Sequence, residues 1–217
     1  MENMHKPGIY EKYVKRFLDI VLSMCGIIVL SPIMLITALL VRVKLGSPVI
    51  FKQERAGLNG RKFVLYKFRS MTNEKDEHGK LLPDEVRLGK FGRTLRGTSL
   101  DELPSLLNIL RGDISIIGPR PLPTRYLQYY TEEEKHRHDV RPGLTGLAQV
   151  NGRNYVSWED KFKMDLKYVN NVSLINDINI FVSTIGVVIK CENVDTGTFI
   201  EHEGKIYRPL DVERKRE

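Results

Sequence analysis

An uncharged run from Ile20 to Val41 limits what this chain can become more than any other stretch. It is long enough for the roughly 20 apolar residues that cross a bilayer as a helix. No small-residue cleavage site follows it, so a removable signal peptide is not expected. Ser31-Pro32 sits near its middle. A mid-helix proline removes one backbone hydrogen bond and bends the helix, and a neighbouring serine hydroxyl can satisfy the freed carbonyl. Cations flank both ends: Lys12, Lys15 and Arg16 before, Arg42 and Lys44 after. The positive-inside rule therefore gives no orientation. An ordinary kinked span fits these residues, and so does a re-entrant helix that returns both ends to one side.

The second organising stretch is Arg96 to Pro121, RGTSLDELPSLLNILRGDISIIGPRP. Leu103, Leu106, Leu107 and Leu110 fall at i, i+3, i+4 and i+7, one apolar helix face, and Gly112 is placed to end that helix. Adjacent carboxylates, Asp101 and Glu102, precede it among arginines Arg96, Arg111 and Arg120. At a helix start, backbone N–H groups and the positive dipole end favour anions. Carboxylate, cation and helix terminus together suit phosphoryl chemistry with a metal ion. The same residues also fit a capping box, Ser99-Leu100-Asp101-Glu102, although Pro104 would then fall inside the helix and remove a hydrogen bond. The spacing leaves both open. In Gly118-Pro119-Arg120-Pro121, two prolines restrict the backbone around Arg120, which suits a fixed bidentate phosphate contact.

The remaining segments are ordered around these two. VIFKQER and RKFVLYKFRSM, separated by Asn59-Gly60, read as a β-hairpin. Its cations are Lys52, Arg55, Arg61, Lys62, Lys67 and Arg69, and some of them are expected at lipid headgroups or substrate phosphate. Residues 72–85 read as a polar loop. Thr124 to Val140 reads as a helix whose Glu, His and Arg residues form a charged surface, since they lack metal-binding spacing. Arg141 to Arg153, RPGLTGLAQVNGR, is glycine-rich and loop-like, and allows close backbone approach to a ligand. Ser157 to Asn170 is an amphipathic helix with Asp165 off its apolar face. Ile178 to Ile189 is too short to span and reads as core or as an interfacial helix. Glu201 to Glu217 is a polar tail, expected to fray.

The formal net charge of +7 calls for an anionic partner. Nucleic acid would explain the charge but not the apolar run, so it is not expected. Cys25 and Cys191 are the only cysteines, and Cys25 lies in the apolar run, so a reducing compartment fits. The reading is three-part: residues 1–45 a membrane helix with a basic flank, 46–200 a catalytic domain on the membrane, 201–217 the tail. The fold class is α+β, mainly helical, with the membrane helix broken at Ser31-Pro32, a small β-hairpin and amphipathic interfacial helices.

The order KRFLDI, an apolar run broken by SP, VIFKQERAG, LYKFRSM, SLDELP, GPRP and RPGLTGLAQVNGR resembles the bacterial sugar transferase family, the small monotopic phosphoglycosyl transferases. The resemblance covers roughly residues 12–190. It implies transfer of a sugar-1-phosphate from a UDP-sugar to undecaprenyl (polyprenyl) phosphate, with UMP released, at the cytoplasmic face of a bacterial inner membrane among its phospholipids. It makes Asp101 the nucleophile of a ping-pong reaction through an aspartyl-phosphosugar, and Glu102 the ligand of Mg²⁺. Arg96 and Arg120 would hold phosphate oxygens, and Arg153 is a weaker candidate for the nucleotide. The membrane question resolves towards a re-entrant helix. Leu147 departs from the tryptophan many members carry, which is expected to alter ligand shape. Sugar transfer without the phosphate would release UDP instead, and an inert membrane-anchored scaffold would release neither. The identity of the sugar, the glycan pathway and whether the chain forms a homodimer are left open.

Overall fold

Arg16–Leu45 forms a single α-helix (α1), entered through a π-helical turn at Tyr10–Lys15. The computed structural model describes residues 5–151, 156–189, 200–202, 205–207 and 209–214. α1 is long and apolar enough to cross a membrane. Its helical backbone continues through Pro32, so the expected break is a proline within a continuous helix rather than an interruption. Proline at position 32 leaves the Ile28 carbonyl without its usual donor. Ser31 Oγ donates to that carbonyl at 2.8 Å.

The polar and apolar faces of α1 are reversed relative to a helix in water. Asp19, Ser23 and Thr37 are buried, whereas Ile28, Val29, Leu35, Ile36 and Val43 are exposed. The buried seam ties both halves of α1 to one body. Arg16 donates to the carbonyls of Ile109 and Leu110 at 2.6 and 2.9 Å, and Asp19 Oδ1 accepts from Ser115 Oγ and Ile116 N–H at 3.0 and 2.9 Å. Near the other end, Val41 packs with Phe68 and Leu95, and Arg69 donates to the carbonyls of Leu45 and Ser47.

The hairpin forms as expected: Ile50–Ala56 (β1) pairs antiparallel with Lys62–Phe68 (β2), register Gln53 to Leu65. Asn59 and Gly60 take the positive φ values, 53° and 70°, that such a turn requires. Short helices Asp84–Arg87 (α2) and Lys90–Gly97 (α3) follow, then a 3₁₀ turn Leu100–Ser105 and Leu106–Arg111 (α4). Ser115–Ile117 (β3) pairs in parallel with Gly143–Thr145 (β4). Between them lie a 3₁₀ turn Thr124–Tyr129, Glu132–Lys135 (α5) and a 3₁₀ turn His136–His138, in place of the single helix expected there. Leu147–Val150 (α6), Trp158–Val169 (α7) and Leu174–Ile189 (α8) complete the domain. Ile200–His202 (β5) pairs with Lys205–Tyr207 (β6), and Leu210–Glu213 (α9) follows. The architecture is thus the mainly helical α+β class expected.

Three expectations need correcting. The segment around Glu132 to His138 is not a solvated charged surface: Glu134, Arg137 and His138 are buried. Asp165 is buried too, because i+3 from Phe162 and i−4 from Val169 places it on the inward face of α7. The tail does not simply fray, since Leu210 is fully buried against Tyr126, Tyr130 and Phe162. On α8, Ile180 is buried while Leu174, Ile175, Ile178, Phe181, Val182 and Ile185 form an exposed apolar face.

Candidate active site

The acidic pair lies in the 3₁₀ turn ahead of α4, not in the first turn of the longer helix expected. That helix begins only at Leu106, and its inward residues are Leu106 and Ile109, while Leu107 is 43% exposed. Gly112 ends it with φ 88°, as its position suggested. The capping-box alternative fails. Ser99 has φ 57° and its side chain accepts no cap hydrogen bond. A non-glycine residue in the left-handed region costs of the order of 1 kcal/mol or more, and such strain concentrates at functional sites. Here it turns the chain so that Asp101 faces inward, 7% exposed.

Glu102 is held by two cations. Lys67 Nζ donates to Oε1 at 2.5 Å and Arg120 Nη2 to the same oxygen at 3.2 Å. Lys67 reaches it because β2 is fixed at the preceding residue: Tyr66 N–H donates to Asn108 Oδ1 at 3.0 Å, and the Tyr66 carbonyl accepts from Ser105 Oγ at 2.7 Å. Asn108 also donates to the Val64 carbonyl at 2.7 Å and to Asp113 at 2.9 Å. Two buried side chains of the turn and α4 thereby satisfy the free edge of the hairpin and align Lys67 with the acidic pair. Arg96, on α3, donates from Nε to Ser70 Oγ at 2.9 Å. Gly92 permits this seating, since a Cβ there would lie 1.9 Å from the Ser70 carbonyl oxygen.

Electrostatics separate the two carboxylates. Burial pushes Asp101 up, to about 6, against the pull of Lys67, and the adjacent Glu102 charge adds to the rise. Burial also acts on Glu102, but Lys67 and Arg120 override it and hold the group down at about 2. The pair therefore presents one permanently ionised carboxylate and one basic, poorly solvated carboxylate that is still mostly ionised at pH 7. Arg96 loses charge stabilisation to burial and regains part of it from Asp101 and Asp84.

Arg120 sits in a turn welded to the glycine-rich segment. Gly118 N–H donates to the Thr145 carbonyl and Gly143 N–H to the Pro119 carbonyl, each at 2.9 Å. A Cβ on Gly143 would lie 2.1 Å from Gly118 N. The glycines of RPGLTG thus serve a chain-to-chain approach rather than the approach to a ligand expected of them. Arg137 completes the support, donating from Nη2 to the Arg120 carbonyl at 2.8 Å and to Asp165 at 2.7 Å. The Arg120 guanidinium itself stays half exposed. A shallow cleft opens beside it, lined by Arg55, Leu65, Lys67, Glu102, Arg120 and Leu144 among others.

Asp101, Glu102, Arg96 and Arg120 are therefore brought together, and Lys67 joins them. Arg153 lies outside the described residues, as does Cys191. Ser31 and Pro32 lie on α1, and Leu147 packs against the core cluster of Ile117, Val140 and Tyr168. Of the six hairpin cations, Lys67 and Arg55 line the cleft, while Arg69 caps the end of α1. Arg111 stacks on Tyr66 instead. Sequence reasoning missed Asn108, Ser105, Arg137 and Asp165. Only Asp165 carried a signal, its place on an otherwise apolar face.

The two carboxylates suit a hard cation. Among the described residues no group of three or more His, Cys, Asp or Glu side chains converges as a self-sufficient metal site. Mg²⁺ usually takes one or two protein carboxylates and fills its remaining positions with substrate phosphate and water, so the donor set here fits it.

Residues 10–191 match the family model described as bacterial sugar transferase. The chain is 50% identical over 190 residues to the uncharacterized sugar transferase EpsL of Bacillus subtilis (strain 168), covering 88% of this chain and 94% of that one. It is 37% identical over 196 residues to the undecaprenyl-phosphate galactose phosphotransferase of Salmonella typhimurium, covering 82% and 41% respectively. It is 36% identical over 191 residues to the UDP-N-acetylgalactosamine-undecaprenyl-phosphate N-acetylgalactosaminephosphotransferase of Aeromonas hydrophila, covering 84% and 45%. The chain thus spans under half the length of these last two relatives.

Proposed function

The chain belongs to the bacterial sugar transferase family, and on that premise we propose that it transfers a sugar-1-phosphate from a UDP-sugar to undecaprenyl phosphate, releasing UMP. Relatives named as undecaprenyl-phosphate sugar phosphotransferases support the reaction class. The observation that carries the mechanism is the unequal carboxylate pair: Asp101 buried and basic, Glu102 clamped by Lys67 and Arg120.

In this reading Asp101 Oδ attacks the sugar-side phosphorus. A P–O bond to Asp101 forms, the P–O bond to the nucleotide phosphate breaks, and UMP leaves with that electron pair. An oxygen of undecaprenyl phosphate then attacks the same phosphorus and releases Asp101. Splitting the transfer lets one site serve a soluble donor and a lipid acceptor in turn, giving ping-pong kinetics. Glu102, with Asp101 beside it, would hold Mg²⁺, which supplies charge neutralisation at the donor's diphosphate. Lys67, Arg96 and Arg120 bind and orient phosphate oxygens, and the burial of Asp101 limits water at the ester.

The membrane reading follows from α1 and α8. The two ends of α1 fasten to one body, which supports a re-entrant helix with both flanks on one side. The exposed apolar face of α8 suits an interfacial position among phospholipid headgroups. The domain would then rest on the cytoplasmic face of the inner membrane, where UDP-sugars and the lipid phosphate meet.

The test is nucleotide release from a panel of UDP-sugars by purified protein with undecaprenyl phosphate and Mg²⁺. UMP from one donor, lost in Asp101→Asn and with chelator, together with a phosphosugar adduct in the intact mass of the donor-treated protein, supports the reading. UDP as the product overturns it in favour of plain glycosyl transfer. No turnover and no adduct across the panel overturns it in favour of an inert scaffold.

A further inference from the structure

Three cations line the cleft beside the acidic pair, and two of them are already engaged there. Lys67 and Arg120 both donate to Oε1 of Glu102, at 2.5 and 3.2 Å. Arg55 lines the same cleft, yet among the described residues no carboxylate forms an ion pair with it. Both of its acceptors are neutral: Nη1 donates to the Pro121 carbonyl at 3.0 Å and Nη2 to Gln53 Oε1 at 2.5 Å. A guanidinium carries five N–H donors. Each Nη of Arg55 therefore keeps one free, and Nε is buried without an acceptor among the described residues.

Fastening β1 to the turn of Arg120 does not require this charge. The main chain already does so, because Ala56 N–H donates to the Leu122 carbonyl at 3.1 Å and Arg55 forms an antiparallel bridge with Pro123. Burial, with Arg120 adding to it, lowers the Arg55 pKa only to about 10, so the group is charged at neutral pH. Among the described residues Glu102 is the one carboxylate of the cleft lining, against the cations Arg55, Lys67 and Arg120. Leu65, Ile114 and Leu144 make up much of the remaining wall. Such a surface attracts an anion, and its apolar walls strengthen the attraction.

Asp101 is not part of that lining, so a phosphate in the cleft stands next to the reacting phosphorus rather than on it. In the transfer proposed above, both half-reactions are in-line displacements at one phosphorus, with Asp101 Oδ on one side. The phosphate that departs in UMP and the lipid phosphate that attacks later therefore occupy the opposite side in turn. We propose that Arg55 binds this phosphate monoester group, that of UMP in the first half-reaction and that of polyprenyl phosphate in the second, in the cleft it shares with Lys67 and Arg120. The proposal deepens the transferase reading and rests on it. The free Nη donors suit two phosphate oxygens, and the bound group supplies the counter-charge that Arg55 lacks. One subsite used in turn makes the two ligands mutually exclusive.

The test is titration of UMP and of farnesyl phosphate, a short polyprenyl phosphate, into the full-length protein in detergent, with uridine and farnesol as uncharged controls. Arg55→Gln should bind each phosphate about tenfold to a hundredfold more weakly than wild type, the usual worth of a charge-assisted hydrogen bond, and the controls no differently. Arg55→Lys keeps the charge without the fork and should bind both phosphates more tightly than Arg55→Gln. In wild type, UMP should displace farnesyl phosphate competitively, a measurement that decides without any variant if Arg55→Gln does not fold. Simultaneous binding of the two, a loss confined to one phosphate, a loss shared by the controls, or a lysine variant as weak as the glutamine variant overturns the proposal. A wild type that binds neither phosphate and releases UMP from no UDP-sugar overturns the transferase reading and this inference with it. UMP release by wild type, with Arg55→Gln binding both phosphates like wild type, overturns this inference only.

Discussion

Arg137 places Arg120 through the main chain: its Nη2 donates to the Arg120 carbonyl at 2.8 Å while the same guanidinium grips Asp165. Both members of the pair are buried, so removing one leaves an unpaired charge in the interior. Asp165→Ala should destabilise the fold by about 3–5 kcal/mol, the usual consequence of breaking a buried pair. Replacing both, as Arg137→Met with Asp165→Leu, should restore most of the stability in denaturant titration. It should not restore turnover, because the Arg120 carbonyl still lacks its donor. A double variant with wild-type turnover would show that the turn holds Arg120 unaided.

Asp101 should make the fold less stable at working pH. Burial raises its pKa to about 6 from the usual carboxylate value near 3.8. The native state therefore holds a proton more tightly than the unfolded chain, and stability falls as pH rises from about 4 to about 6. Asp101→Asn should be inactive yet more stable than wild type above pH 6, by about 3 kcal/mol at most. The difference should vanish below about pH 4, measured by thermal melts across pH. Donor turnover in wild type should show an acid limb near pH 6, with the carboxylate form active.

The legibility of the chain followed interaction range. The hairpin was readable because turn chemistry at Asn59-Gly60 is local, and α1 because composition alone marks a helix long and apolar enough to cross a membrane. The pair at Asp101 and Glu102 and the cations Arg96 and Arg120 were named from spacing and resemblance. The links among them were not readable. Lys67 reaches Glu102 across 35 residues, and Asn108 joins β2 across 42. No periodicity records which hairpin cation turns inward or which asparagine closes a strand edge. Local strain hid the 3₁₀ turn as well: Ser99 looks like a cap in sequence, and only its left-handed backbone rules that out.

His138 sets the acid limit of the fold. Its Nδ1 donates to the Gly57 carbonyl at 3.1 Å, so Nε2 carries the lone pair, buried and without a hydrogen-bond partner among the described residues. Burial, reinforced by Arg137, pushes its pKa down to about 3 from 6.5. The unfolded chain takes up a proton below pH 6.5 while the native state does not, so this contribution is complete above 6.5 and is lost as pH falls towards 3. Between pH 6.5 and 5, wild type should lose about 2 kcal/mol that His138→Gln does not. Urea titrations of both proteins at the two pH values give the difference directly. Equal losses would mean that His138 protonates freely in the native state.

The anchoring of α1 gives a topology that labelling can read. A straight helix of 30 residues would separate its ends by about 45 Å, yet Arg16 and Leu45 are both fastened to the catalytic body. Pro32 supplies the weak point, since its ring removes the bond to Ile28 that Ser31 only partly replaces. With Cys25 and Cys191 replaced by serine, single cysteines at Gly8 and Lys44 should both react with an impermeant thiol reagent from the same side of oriented vesicles. Pro32→Ala restores the missing hydrogen bond and favours a straight helix. It should move one flank towards the opposite side or detach Arg16 from α4, lowering activity in either case. Same-side labelling and full turnover in Pro32→Ala would assign the topology to the anchors at Arg16, Asp19 and Arg69 rather than to the proline.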